Sequence, residues 1–208
     1  MAAALLAVVL GVPLGLYALM TRGQRRTIRE ICVRAREQGW EYGLRRWQGN
    51  PAAFRIEGRT RSGLAWIMTT ENASDTQRRW AVDLRLRFPT LGGEPDLTIQ
   101  PRACEDLGPL PADAREQPAG HPAFDAAYRV MASPRWSAGP PIDSGFAGRL
   151  LHWPADAVQP RALLAWRDRD AFQFHAGLPA PPNWATVSHL AALAEELTAR
   201  LPAPVQPP

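Results

Sequence analysis

The first twenty residues constrain the fold and the placement of this chain more than any other segment. From Ala2 to Met20 there is no charged side chain, and Tyr17 is the one weakly polar residue. As an α-helix this run extends about 28 Å, close to the thickness of the hydrocarbon core of a bilayer. The pattern predicts a single transmembrane helix, with residues 1–22 as the membrane anchor.

A cleavable secretory signal peptide is the main alternative for this segment. Such a peptide carries a basic region before its apolar stretch and small residues at its cleavage site. Here Met1 to Ala4 carry no basic side chain, and Met20 stands where a small residue is needed. A retained anchor is therefore the favoured interpretation.

Four arginines follow the apolar run directly, and no basic side chain precedes it. They are Arg22, Arg25, Arg26 and Arg29. Because loops rich in basic residues stay in the cytoplasm, this asymmetry predicts an N-terminus outside and a soluble domain in the cytoplasm. The use of Arg for all 24 basic residues is typical of GC-rich bacterial genomes, so we assign the membrane as a bacterial inner membrane. The same four residues are candidates for contact with anionic lipid headgroups.

Small residues recur along one side of the predicted anchor. Ala7, Gly11 and Gly15 are spaced by four, which lets another transmembrane helix approach closely. Gly is also common in membrane helices generally, so composition alone is the competing explanation. The span holds no His, Cys, Asp or Glu, and so its side chains offer no ligand for haem or a metal.

A second helix is predicted directly after the anchor, over residues 23–39. Ile28, Ile31 and Ala35 lie on one side of it, and Gly39 is a natural C-terminal stop. We interpret this segment as a juxtamembrane stalk helix.

The remaining chain predicts one soluble α+β domain over residues 40–201. Its clearest signal is the strict alternation from Arg79 to Phe88, typical of a strand with one buried side and one side in water. Similar alternation predicts a strand at Phe54 to Arg59, and Thr60 to Gly63 predicts the turn of a hairpin. The fold class is therefore a mostly antiparallel β-sheet with a few packing helices.

Weaker signals assign the other segments of this domain. Further strands are predicted at Trp40 to Trp47, Leu97 to Gln100, Phe124 to Met131, Ala162 to Trp166 and Ala171 to His175. Asp143 or Ser144 is predicted to cap a short helix, and Asn183 the last helix. A Pro- and Gly-rich connection at about 89–123 and a Pro-rich tail at 202–208 complete the chain.

Charge is distributed unevenly along the chain. Residues 22–90 contain fifteen Arg and seven acidic residues, whereas residues 91–208 contain nine Arg and thirteen acidic residues. If the strands of the first part share one sheet, five arginines fall on its solvent side: Arg55, Arg59, Arg79, Arg85 and Arg87. Such a face is a candidate site for phosphates or an acidic partner, and a solubilising polar face is the simpler interpretation.

No local motif indicates a catalytic, cofactor or metal site. The histidines His121, His152, His175 and His189 are scattered and lack the spacing of metal ligands. Cys32 and Cys104 have no CxxC context, and they are interpreted as thiols in a reducing compartment, with a single disulfide as the alternative. We therefore expect no cofactor and favour a non-catalytic role.

These observations together favour an accessory, scaffolding or assembly subunit of a larger inner-membrane complex, with respiratory and photosynthetic complexes as candidate hosts. Its partners are then membrane lipid and other membrane-protein subunits. Nucleic acid is disfavoured because the aromatic side chains alternate onto the core side. The alternative is a tethered binding or sensory module that recognises anionic lipid, nucleotide or nucleic acid through the arginine face. An enzyme assembled from distant residues is the least favoured class.

Overall fold

The structure, a computed structural model, describes residues 22–44, 53–74, 79–87, 97–104, 110, 113–134, 142–160, 162–168 and 171–198. The predicted anchor, including Ala7, Gly11 and Gly15, lies outside these residues, and so does the tail at 202–208. None of the helices in this part of the chain has the length and apolar character needed to cross a membrane.

Nine strands form one sheet in the described part of the chain, and all the pairings are antiparallel. In chain order they are β1 (Glu41–Leu44), β2 (Phe54–Arg59), β3 (Ala65–Ser74), β4 (Arg79–Arg87), β5 (Leu97–Pro101), β6 (Arg115–Glu116), β7 (Tyr128–Ala132), β8 (Ala162–Asp168) and β9 (Ala171–Leu178). Their order across the sheet is β1-β2-β3-β4-β9-β8-β5-β7-β6. The first four strands are sequential neighbours, whereas β9 arrives from the far end of the domain to pair with β4.

Four helices accompany the sheet among the described residues. They are the helix over 22–37 (α1), α2 (Pro122–Ala127), α3 (Ser144–Leu151) and α4 (Trp184–Thr198). Together with the antiparallel sheet they confirm the predicted α+β class.

The predicted N-terminal caps of α3 and α4 are confirmed. Asp143 Oδ1 accepts a hydrogen bond from the Phe146 amide at 2.9 Å, and Asn183 Oδ1 accepts one from the Thr186 amide at 3.0 Å. Each cap satisfies a backbone N–H that the first turn of the helix leaves without an intrahelical partner.

The helices pack on one face of the sheet, where they form a single core with its strands. The largest buried side chains of this core include Phe54, Ile56, Trp66, Met68, Leu84, Phe172 and Phe174 on the sheet, and Ile31, Phe124 and Phe146 on the helices. Phe146 of α3 and Phe174 of β9 approach to 6.5 Å between ring centroids. The molecule is thus built of two layers, and the second face of the sheet points away from these helices.

The predicted stalk helix takes part in this core. Ile31 and Ala35 on α1 both have 0% exposure, in the same cluster as the sheet residues. Gly39 follows the last turn with a φ of 74°, so the predicted stop is confirmed. The helix is therefore part of the folded domain, and its position beside a membrane stays a prediction.

The predicted hairpin between β2 and β3 is also confirmed. The Gly63 amide donates to the Thr60 carbonyl at 2.8 Å, and Gly63 has a φ of 86°, which favours glycine. The Glu195 carboxylate of α4 accepts from the Arg61 amide at 3.1 and 3.2 Å. The helix layer thus holds the tip of this hairpin.

The prediction of a strand from Phe124 to Met131 is wrong in its first half. Residues Pro122–Ala127 form α2, and the strand begins only at Tyr128. Proline fits the first turn of a helix because its missing N–H has no partner there anyway. The Asp125 carboxylate further holds the chain before the helix, accepting from the amides of Ala119, Gly120 and His121 at 2.8, 3.0 and 3.1 Å.

Candidate functional site on the open face of the sheet

The face of the sheet opposite the helices carries the candidate site, and we call it the open face. It is formed by strand residues that alternate with core residues: Arg55, Glu57, Arg59, Ile67, Thr69, Asp83, Arg85, Arg87, Leu164, Trp166, Gln173 and His175. All of them are at least partly exposed. Antiparallel sheets commonly leave one such face to solvent or to a partner.

The open face ends at β8 because β5 is buried on both sides. Thr98 and Gln100 point to the open side and yet have 0% exposure. With its amide oriented to satisfy both side chains, Gln100 accepts from Arg129 Nη2 at 2.9 Å. The accessible part of the face therefore extends from β1, where the exposed Glu41 lies opposite Glu57, to β8.

An aspartate and a histidine pair at the centre of this face. Asp83 on β4 and His175 on β9 lie opposite each other in the register, and His175 Nδ1 is 2.7 Å from Asp83 Oδ1. Their side chains are 41% and 38% exposed, respectively. A carboxylate at this distance from Nδ1 fixes the orientation of the imidazole ring. The pair is thus a polar group of defined geometry at the surface.

Apolar and amide side chains surround this pair. Leu164 on β8 lies opposite His175, and Trp166, two residues further along β8, lies opposite Gln173. On the other side of Gln173, Arg85 is the opposing residue on β4. Gln173 thus lies between Trp166 and Arg85, and Trp and Arg are both residue types enriched at protein interfaces.

The structure brings together four of the five arginines predicted to share this face. Arg55 and Arg59 are on β2, and Arg85 and Arg87 are on β4. Arg79 pairs through its backbone with Ser74, and its side chain lies outside the described residues.

Acidic side chains on the same face divide this basic surface. Arg55 Nε lies 2.6 Å from Glu57 Oε1, and this hydrogen bond lowers the pKa of Glu57, with further contributions from the charges of Arg55 and Arg87. Asp83 lies on β4 two residues before Arg85, with Thr69 opposite it on β3 and His175 opposite it on β9. The open face therefore alternates in charge, and it is not the uniformly basic surface that the arginine pattern alone indicates.

His189 packs against the helix layer, away from the open face. His189 Nε2 is 3.0 Å from the Arg149 carbonyl, and its ring lies 4.4 Å from that of Trp153. Burial lowers the pKa of His189, since a charged imidazole there loses its hydration. Among the described residues, no cluster of His, Cys, Asp or Glu has the geometry to hold a metal ion.

The two cysteines occur as thiols. Cys32 lies on α1 and Cys104 follows β5, and no disulfide joins them. The Cys104 carbonyl accepts from Arg129 Nη2 at 3.2 Å. The disulfide alternative is therefore not supported by this structure.

The juxtamembrane arginines predicted from the sequence are all exposed on α1. Arg22, Arg25, Arg26 and Arg29 point away from the core that Ile31 enters. They form a basic surface that is separate from the open face, because α1 packs on the opposite side of the sheet.

Sequence reasoning missed the pairing of Asp83 with His175. The two residues are 92 positions apart, so no local spacing relates them. The alternation in β4 places Asp83 on the solvent side, but only the adjacency of β4 and β9 shows what it faces.

No family model, no curated protein and no solved structure matches this chain.

Proposed function

We propose that this chain is a membrane-tethered accessory subunit of a larger bacterial inner-membrane complex, and that its domain binds a partner protein through the open face. The observation that carries the proposal is the composition of that face. Arginines, acids, an oriented histidine and partly exposed apolar side chains alternate over neighbouring strands. The apolar N-terminal run and the basic residues after it support the tether.

The chemistry of the face favours a protein segment as its occupant. Arg85 and Arg87 fit an acidic side chain, and Leu164 and Trp166 fit an apolar one. A protein segment offers both within a few residues. Because acids lie beside the arginines, the partner must also place hydrogen-bond donors opposite Asp83. The charge pattern of the face therefore discriminates between partner proteins.

A phosphate-rich ligand fits this face less well. Glu57 and Asp83 lie beside the arginines, and their charges oppose the approach of a polyanion. Recognition of anionic lipid or nucleotide is therefore the second candidate, and it draws its support from Arg85 and Arg87 alone.

Site-specific crosslinking in native membranes tests the proposal. A photo-crosslinking amino acid at Gln173, on the open face, is expected to capture one defined partner in stoichiometric yield after mild-detergent purification. The same group at Ala192, on α4 in the helix layer, is expected to capture far less of it. Recovery of the chain as a monodisperse monomer from native membranes contradicts the proposal.

Charge reversal identifies the part of the surface that binds. Arg85→Glu with Arg87→Glu is expected to abolish the Gln173 crosslink, whereas Arg61→Glu with Arg115→Glu, an equal change at exposed sites away from these two residues, leaves it intact. The second candidate is supported instead if the unmodified chain gives no protein crosslink but retains a nucleotide or phospholipid in a salt-sensitive manner. The Arg85→Glu, Arg87→Glu variant is then expected to lose that ligand.

A further inference from the structure

The two sides of α1 differ in character. Its inner side carries Ile31 and Ala35, both fully buried in the domain core. Its outer side carries Arg22, Arg26, Arg29 and Val33, which are spaced by four, three and four and therefore lie along one face of the helix. We call these four residues the outer stripe.

The outer stripe combines positive charge with an exposed apolar group. Residues 22–37 contain six Arg and two Glu, and one of these acids, Glu30, lies 3.2 Å from Arg34 beside the stripe. Val33 is 49% exposed, more than any other large apolar side chain of the described residues. Clusters of basic residues directly after a membrane helix are typical of surfaces that bind anionic lipid headgroups.

The neighbouring sequence places this stripe close to lipid. The apolar run ends at Met20, two positions before Arg22, so a membrane helix over that run brings the start of α1 to the bilayer surface. Anionic headgroups attract basic residues within about one Debye length of the surface, and each Arg there strengthens association about five-fold.

We propose that the outer stripe of α1 lies on the anionic lipid headgroups and sets the orientation of the domain on the membrane. This inference rests on the membrane tether in the proposed function. Ile31 and Ala35 bury the inner side of α1 against the sheet, so the helix and the domain take one orientation together. Because α1 packs on the face opposite to the open face, Asp83 and His175 are directed away from the bilayer, toward soluble parts of a partner.

Fluorescent labels on the full chain test this arrangement in nanodiscs. The probe is attached at Val33→Cys or, for comparison, at Thr69→Cys on the open face, in a Cys32→Ser and Cys104→Ser background. In discs with phosphatidylglycerol, lipid-borne quenchers are expected to quench the label at position 33 at least twice as strongly as the label at position 69. Discs of phosphatidylcholine are expected to remove most of this difference.

A matched pair of variants assigns the effect to the stripe. Arg26→Glu with Arg29→Glu is expected to reduce quenching at position 33 to the level in phosphatidylcholine, whereas Arg61→Glu with Arg115→Glu leaves it unchanged. Equal quenching at both positions, or quenching that does not depend on lipid charge, overturns the inference.

Failure of this inference is distinguishable from failure of the proposed function. A chain that does not float with phosphatidylglycerol vesicles contradicts the tether, and the stripe proposal with it. A chain that floats but shows no lipid-dependent quenching contradicts the stripe alone. Loss of the Gln173 crosslink with normal quenching contradicts only the partner-binding function.

Discussion

His175 Nδ1 lies 2.7 Å from Asp83 Oδ1, across the pairing of two strands whose facing residues are 92 positions apart in the chain. Both side chains are about two-fifths exposed, so solvent screens the interaction, and such pairs contribute about 0.2–1 kcal/mol. Its geometry orients the imidazole at the centre of the open face. We therefore expect the pair to matter more for binding than for stability.

A double-mutant cycle with Asp83→Asn and His175→Gln tests this expectation. The coupling in free energy of unfolding, measured by denaturant titration, is expected to be at most about 1 kcal/mol. The exposed pair Glu30 and Arg34 on α1, one helical turn apart, serves as the reference, at about 0.3–0.5 kcal/mol. In the Gln173 crosslinking assay, each single substitution is expected to reduce the yield severalfold. Coupling above about 3 kcal/mol with normal crosslinking contradicts a binding role for the pair.

Gly58 on β2 is expected to tolerate no side chain. A Cβ at this position overlaps the Trp66 ring and lies 3.0 Å from Trp40 Cδ1. Trp66 is 1% exposed, so its ring moves aside only by displacing packed neighbours, and Gly58→Ala is expected to destabilise the domain by about 1–3 kcal/mol. Thermal unfolding followed by tryptophan fluorescence measures the effect.

Gly43 on the neighbouring strand β1 is the matched control for that change. A Cβ at Gly43 has no atom within 4 Å, so Gly43→Ala is expected to be neutral or stabilising by less than about 1 kcal/mol. If both substitutions lower the thermal stability by similar amounts, the destabilisation arises from the strand backbone and not from contact with Trp66.

His189 is expected to make stability depend on pH. Burial is the main cause that lowers its pKa in the folded state from 6.5, so the unfolded state binds a proton first as the pH falls. The contribution of neutral His189 to the free energy of unfolding is thus fully present above about pH 6.5. It declines as the pH drops from the unfolded-state pKa to the folded-state pKa. His189→Gln is expected to flatten this slope below about pH 6.5. An unchanged slope in the variant contradicts the assignment.

Asp125 is expected to be a structural residue. Its carboxylate accepts from three consecutive backbone amides that precede α2. Asp125→Ala leaves these donors without that acceptor, which is expected to cost about 1–3 kcal/mol. Asp156→Ala is the control, because it removes an exposed carboxylate in the loop before β8. The Asp156 carbonyl, which accepts from Asn183, remains in this variant. The free energy of unfolding is therefore expected to change by less than about 0.5 kcal/mol. Chemical denaturation of both variants separates the two cases.

Local patterns in the sequence determined much of the secondary structure. The alternation through β4 fixed which residues are buried, because successive side chains of a strand point to opposite sides. Asp143 and Asn183 were recognisable as caps, since a cap interacts with amides two or three residues away. The solvent side of Arg55 and Arg85 followed from the same alternation.

Tertiary structure decided which residues are neighbours. Alternation assigns Asp83 to one side of β4. Which strand pairs with β4 depends on long-range packing, and in the folded sheet that strand is β9. The same holds for α1. Its sequence indicates an amphipathic helix, and its inner side is buried because it packs on the sheet. At Phe124 the alternation predicted a strand and was wrong, and the contacts of Asp125 with the preceding amides accompany the helix that forms there. The sequence by itself thus determined the sides and ends of most elements, whereas the composition of the open face depended on strand order, which short-range spacing does not encode.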